Sequence, residues 1–121
     1  MALNAAAKNL MLTALASTGA IYASYHTAEP NAAGSNEVAG GSPAYARKAL
    51  SWAAADAGAI DLSTAALFDI PAGTTVTHVG YWSAVTAGVF YGWNAVTAET
   101  FASQGQSSLT ASAIDLNATA A

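Results

Sequence analysis

Turn signals punctuate this chain roughly every 8–12 residues from Gly19 onward, and between them the hydrophobic period is two. Ile21, Ala23 and Tyr25 alternate with Tyr22, Ser24 and His26, the pattern of a half-buried strand. Leu50 with Trp52, Ile60 with Leu62, and Ala66 with Phe68 and Ile70 repeat it, separated by turns such as Asp56-Ala57-Gly58 and Pro71-Ala72-Gly73. Thr74 to Ser83 is the strongest strand, because Thr, Val, Tyr and Trp favour the pleated backbone. Alternation puts Val76, His78, Gly80 and Trp82 on one face of it. Ala87-Gly88 turns the chain, Val89 to Ala95 runs back, and Thr97 to Phe101 and Ser107 to Leu116 follow. The total is about seven or eight short strands, which predicts a mainly β chain built as a single β-sandwich, jelly-roll or Ig-like.

The first segment has a different period. Asn4 is a helix N-cap by type, and Ala5-Ala6-Ala7 has strong helix propensity. Leu3, Ala7, Leu10 and Ala14 recur at helical spacing with Met11 and Leu15 beside them, while Lys8 and Asn9 fall on the other face. Ser17-Thr18-Gly19 closes the segment. The stripe is too short for a lone coiled coil, so it requires its own domain or a symmetry mate to pack on. The organisation expected is therefore an N-terminal helix or arm over residues 1–18, a sandwich over 20–116, and a small, polar tail over 117–121.

Few groups are available for chemistry. Charged residues are 8% of the 121, there are two His and no Cys, yet 54% is hydrophobic, much of it Ala. The formal charge is −4, and Lys8, Arg47 and Lys48 are the only cations, too few to track a phosphate backbone, so nucleic acid is not an expected partner. No run approaches the roughly 20 apolar residues of a membrane span, and the apolar start lacks a basic leader region. With little charge to keep it apart from its neighbours, the chain suits a large assembly.

Each candidate for catalysis has a structural alternative. A metal site needs His26 and His78 brought together with a carboxylate such as Asp69 or Glu29, and nothing in the spacing enforces this. Nucleophile–base catalysis needs a Ser beside one of these His, and no nucleophile-elbow motif is present. The favoured reading makes each His a hydrogen-bonded strand residue. Gly40-Gly41 lacks the Lys-Ser/Thr of a phosphate loop. The expectation is no catalytic residue, no cofactor and no metal.

Two features point instead to contacts. The loop Thr27 to Ser42 is long for a compact domain, and such loops are functional or lie against a partner. Glu37 and Arg47-Lys48 flank it, as an ion pair that pins the loop or as a contact to a neighbour. Tyr81, Trp82, Phe90, Tyr91 and Trp93 crowd two adjacent strands, and those facing outward would form a partner surface or a glycan platform. The interface candidates are Leu3, Leu10, Met11, Glu37, Pro43, Tyr45, Arg47, Lys48, Trp82 and Trp93.

Several stretches carry a resemblance. They are Met1 to Leu12, Tyr25 to Pro30, the run Asn36-Glu37-Val38-Ala39-Gly40-Gly41-Ser42-Pro43-Ala44-Tyr45-Ala46-Arg47-Lys48, and Phe68 to Ser83. In these the chain resembles small virion structural proteins of tailed bacteriophages, particularly those infecting actinobacteria, labelled tail fibre, minor tail or minor capsid proteins. The resemblance implies a structural protein of the phage particle, assembled in the host cytoplasm as a homo-oligomer, expected to be a trimer. The leading expectation is a capsid decoration protein that clamps the major capsid protein, with residues 27–42 reaching the shell. The alternative is a tail-fibre or minor tail component that stacks Tyr81, Tyr91 or Trp93 on host sugars. The resemblance supplies no catalytic residue.

Overall fold

The computed structural model describes residues 3–17, 19–110 and 112–115. The expected tail over 117–121 lies outside them. The described chain has one helix, α1 (Ala5–Ser17), followed by eight strands: β1 (Ile21–His26), β2 (Lys48–Leu50), β3 (Ala59–Asp61), β4 (Ala66–Ile70), β5 (Thr74–Trp82), β6 (Phe90–Phe101), β7 (Gly105–Leu109) and β8 (Ala113–Asp115). The mainly β class with a single N-terminal helix is as expected.

The frame is a four-stranded antiparallel sheet in the order β2-β1-β5-β6. Antiparallel β4 and β7 lay Phe68, Ile70 and Leu109 over Ile21, Ala23 and Tyr25 of β1 and Val79 and Tyr81 of β5. Tyr25 meets Phe68 edge-on with ring centroids 4.6 Å apart. Phe68 is fully buried, which contributes about 1.5–3 kcal/mol from its ring alone. A third pair, β3 with β8, closes the layer beside the helix.

Sequence alternation misplaced several faces. Ile21 to His26 reads as half-buried, yet Ser24 and His26 are fully buried on the face opposite Tyr25. The cause is the segment 27–42, which folds back over that face instead of leaving the molecule. Its Pro30, Gly34 and Val38 are buried, Val38 N–H donates to Tyr25 O at 3.0 Å, and Thr27 N–H donates to Asn36 O at 3.0 Å. Most of the remaining residues of the segment stay exposed on its outer side. In β5, a register shift between Val76 and His78 breaks the period of two. Val76 therefore joins the core with Val79 and Tyr81, while Gly80 and Trp82 lie with Ser24 and His26 on the other face.

Two strand boundaries also differ. Val89–Ala95 and Thr97–Phe101 form one 12-residue strand, β6, which crosses the irregularity without breaking. The strand expected over Ser107–Leu116 instead divides into β7 and β8, and Leu116 itself lies outside the described residues.

Helix α1 starts where its cap requires, with Ala7 N–H donating to Asn4 Oδ1 at 2.9 Å. Its inward face is not the expected stripe. Leu12 is 1% exposed, Leu15 packs on the core, and Asn9 Oδ1 accepts Gly58 N–H at 2.9 Å. The turn ending at Gly58 has a backbone donor that needs an acceptor, and Asn9 supplies it. Leu10 is left 73% exposed and Met11 51%.

Candidate functional site

The polar groups that the sequence singled out meet on the loop-covered face of the sheet. Arg47 follows the loop and points its guanidinium back across it. Nε and Nη2 donate to the two carboxylate oxygens of Glu37, each at 2.9 Å, the two-pronged geometry that suits Arg. Nη1 donates to the carbonyls of Ala84 at 3.1 Å and Ala87 at 2.9 Å, in the β5–β6 turn. The same guanidinium lies 3.6 Å from the centre of the Trp82 ring. Tyr45 O–H donates to Glu37 Oε2 at 2.9 Å and accepts Tyr25 N–H at 3.0 Å. Burial, with the Glu37 charge beside it, pushes the Tyr45 phenol far above its usual range, so it remains a donor at any physiological pH.

Behind this clamp sits a second polar chain. Trp82 Nε1–H donates to Ser24 Oγ at 2.8 Å, and Ser24 Oγ lies 2.7 Å from His26 Nε2. His26 Nδ1 is 2.8 Å from Ser35 O, a carbonyl that can only accept. Nδ1 therefore carries the proton, and Nε2 accepts the Ser24 hydroxyl proton. Desolvation lowers the His26 pKa, which keeps the ring neutral. His78 is its cross-strand neighbour, and its Nδ1 pairs with Thr77 Oγ1 at 2.8 Å. Ser24 and His26 come together because residues two apart share one face of a strand. The pair has the spacing of a nucleophile and its base, but both residues are fully buried beneath residues 27–42. Among the described residues, no group of three His, Asp or Glu is placed to hold a metal ion.

Aromatic rings carry this rigid core to the surface. Trp82 packs on Phe90 with centroids 4.8 Å apart, and Phe90 stacks on Trp93 at 6.1 Å and 7°. Gly80 makes room for this: a Cβ there would come within 2.7 Å of the Phe90 ring and of His26 Nε2. Gly34, at φ +73°, likewise lets the loop close on the Trp82 ring. The stack ends in Trp93, 38% exposed, with Tyr91 at 41% two residues away.

The interface candidates thus divide. Glu37, Tyr45, Arg47 and Trp82 spend their polar or aromatic groups on one another inside the chain. Leu10, Met11, Pro43 and Trp93 are exposed, and Leu3 and Lys48 are half-buried. Tyr81, expected among the outward rings, is in the core, where its hydroxyl meets Ser112 Oγ and accepts Asn94 Nδ2–H at 2.8 Å. It faces inward because the Val76–His78 register shift reverses the alternation before it.

Comparison with curated proteins and with solved structures returned no match. Residues 2–117 match a family model described as podophage GP4 fiber I protein gp80. The match runs through the helix, the loop, the clamp and every strand. The chain belongs to this podophage fibre protein family and is a structural protein of the bacteriophage virion.

Proposed function

We propose that this chain is a tail-fibre component that works by binding, with its exposed aromatic rings turned to the host surface. The observation that carries the reading is the family match over residues 2–117, whose description names a fibre. It favours the fibre role over capsid decoration, the first expectation from sequence. The fold points the same way. Decoration relied on residues 27–42 as an arm to the shell, and that segment is held down by His26, Glu37 and Arg47.

The clamp serves the fibre role by stiffening the surface. Trp93 is backed by Phe90, Phe90 by Trp82, and Trp82 by Arg47. A ring held this way loses little freedom when it stacks on a sugar. Binding rather than catalysis is supported by the sealed position of Ser24 and His26.

Copy number tests the assignment. Quantitative mass spectrometry of purified particles should give a few to tens of copies, with antibody label at the tail. Hundreds of copies over the head would establish decoration instead. Trp93→Ala particles should assemble normally and adsorb to host cells several-fold more slowly; unchanged adsorption would remove Trp93 from the contact.

A further inference from the structure

We propose that the outward stripe of α1 docks on the same stripe of a second copy, antiparallel, about a two-fold axis. The helix buries only one of its own residues fully, Leu12, and turns Leu10, Met11 and Ala14 outward. Leu3, just outside the first turn, and Ala7 extend that stripe. The spacing 3, 7, 10, 14 alternates four and three, the period of a helix–helix seam.

Three observations select a second copy as the occupant. The first is charge. The stripe carries none, and Lys8, the one charge of the helix, lies off it, so identical stripes meet without repulsion. The second is size. Antiparallel pairing with Ala7 facing Leu10 also sets Leu3 against Ala14. Every layer then joins one large side chain to one small one, as tight packing requires. Parallel pairing would stack Leu on Leu and Ala on Ala, leaving uneven layers. Antiparallel helices also oppose their dipoles favourably. The third is that the helix is already anchored to its domain by Asn9, Leu12 and its Asn4 cap. Free helices this short are marginal, so this anchoring removes most of the ordering that association would otherwise demand.

The area sets the strength. A 13-residue helix face buries on the order of 400 Å² per copy, well below the ~800 Å² of a standard interface. The pair should therefore be weak and dependent on concentration, reinforced where a fibre holds copies together. The inference stands apart from the fibre reading, because its test uses the purified chain and the other uses particles.

The test is sedimentation of the full chain over a concentration series, with engineered cross-linking. The chain has no Cys, so introduced thiols report cleanly. Expected are a dimer at high concentration and its loss in Leu10→Glu, whose far-UV spectrum should be unchanged because position 10 is exposed. Mixing Ala7→Cys chains with Leu10→Cys chains should form the mixed disulfide several-fold faster than either self-linked pair. Self-linking that dominates would overturn the antiparallel arrangement, as would a three-copy mass. A monomer at all concentrations, or a dimer untouched by Leu10→Glu, would overturn the proposal altogether.

Discussion

Removing Arg47 tests whether the clamp holds the loop. A fully exposed ion pair contributes about 0–1 kcal/mol. This one is different, since the Arg47 side chain is 9% exposed and that of Glu37 21%. Stripping one partner from a buried pair costs about 3–5 kcal/mol, because the other charge remains unpaired. Glu37 keeps some contact with water and its Tyr45 hydrogen bond, which brings the ionic part to roughly 2–3 kcal/mol. The lost Trp82 contact adds about 1 kcal/mol. Arg47→Ala should therefore lose about 3–4 kcal/mol, a fall in Tm of the order of 12 °C for a domain this size.

Urea unfolding followed by tryptophan fluorescence measures this directly, with Trp82 reporting the clamp. The midpoint should fall with the slope unchanged. Arg47→Lys keeps the charge but not the two-pronged geometry, so it should still lose about 2 kcal/mol. A double-mutant cycle with Glu37→Gln should show coupling above about 1 kcal/mol. If Arg47→Ala loses less than about 1 kcal/mol, or Arg47→Lys matches the parent, the clamp is an ordinary surface pair and the reasoning fails.

Gly34→Ala should lose about 2–4 kcal/mol, since it combines positive φ with a Cβ inside the Trp82 ring. Gly73→Ala, at the similar φ of +74° but with open space around it, should lose only about 1 kcal/mol, and equal losses would show that packing on Trp82 is irrelevant. Leu12→Ala should lose about 2–4 kcal/mol while Leu10→Ala stays within about 0.5, checked by thermal unfolding at low concentration. Because burial lowers the His26 pKa below its ordinary 6.5, the neutral ring's contribution is complete above pH 6.5. It declines as pH falls through the folded value, so the midpoint should drop on acidification below 6.5, and His26→Gln should flatten that part of the profile.

The strands were legible wherever a period of two met a turn. β1, β4 and β5 fall within a residue of their expected bounds, and Asn4 caps the helix as its type suggests. Faces were less legible, because a face depends on register, and register is set by partners distant in sequence. The shift at Val76–His78 moved Tyr81 from surface to core, and no local signal marks it. The helix stripe misled for a related reason. Period identifies an apolar face, but here a polar residue, Asn9, faces inward because the turn at Gly58 needs its oxygen. The pairing of Glu37 with Arg47 was legible as one of two options, while the reach of Arg47 to Ala84, Ala87 and Trp82 depends on a turn some 40 residues further on. Ser24 and His26 were two residues apart in plain view, but their burial comes from the loop, whose path composition does not record.

That burial decides what the Ser24–His26 pair can do. A nucleophilic serine must reach a substrate carbonyl while its base takes the proton. Here the hydroxyl already accepts from Trp82 and donates to His26, and both residues have no exposed surface. Access would require residues 27–42 to lift. Lifting them removes Ser35 O from His26 Nδ1, so the base loses the partner that fixes its tautomer. It also pulls Glu37 from Arg47 and lifts Gly34 off the Trp82 ring. Opening the loop would thus cost His26 the contact that orients it, whereas in the closed fold the pair ties β1, β5 and the loop together. A fluorophosphonate probe, which labels activated serines, should leave the native chain unmodified at neutral pH, and Ser24→Ala should lose about 1–3 kcal/mol through the stranded Trp82 donor. Stoichiometric labelling at Ser24 under native conditions would refute the structural reading and establish an opened, reactive state.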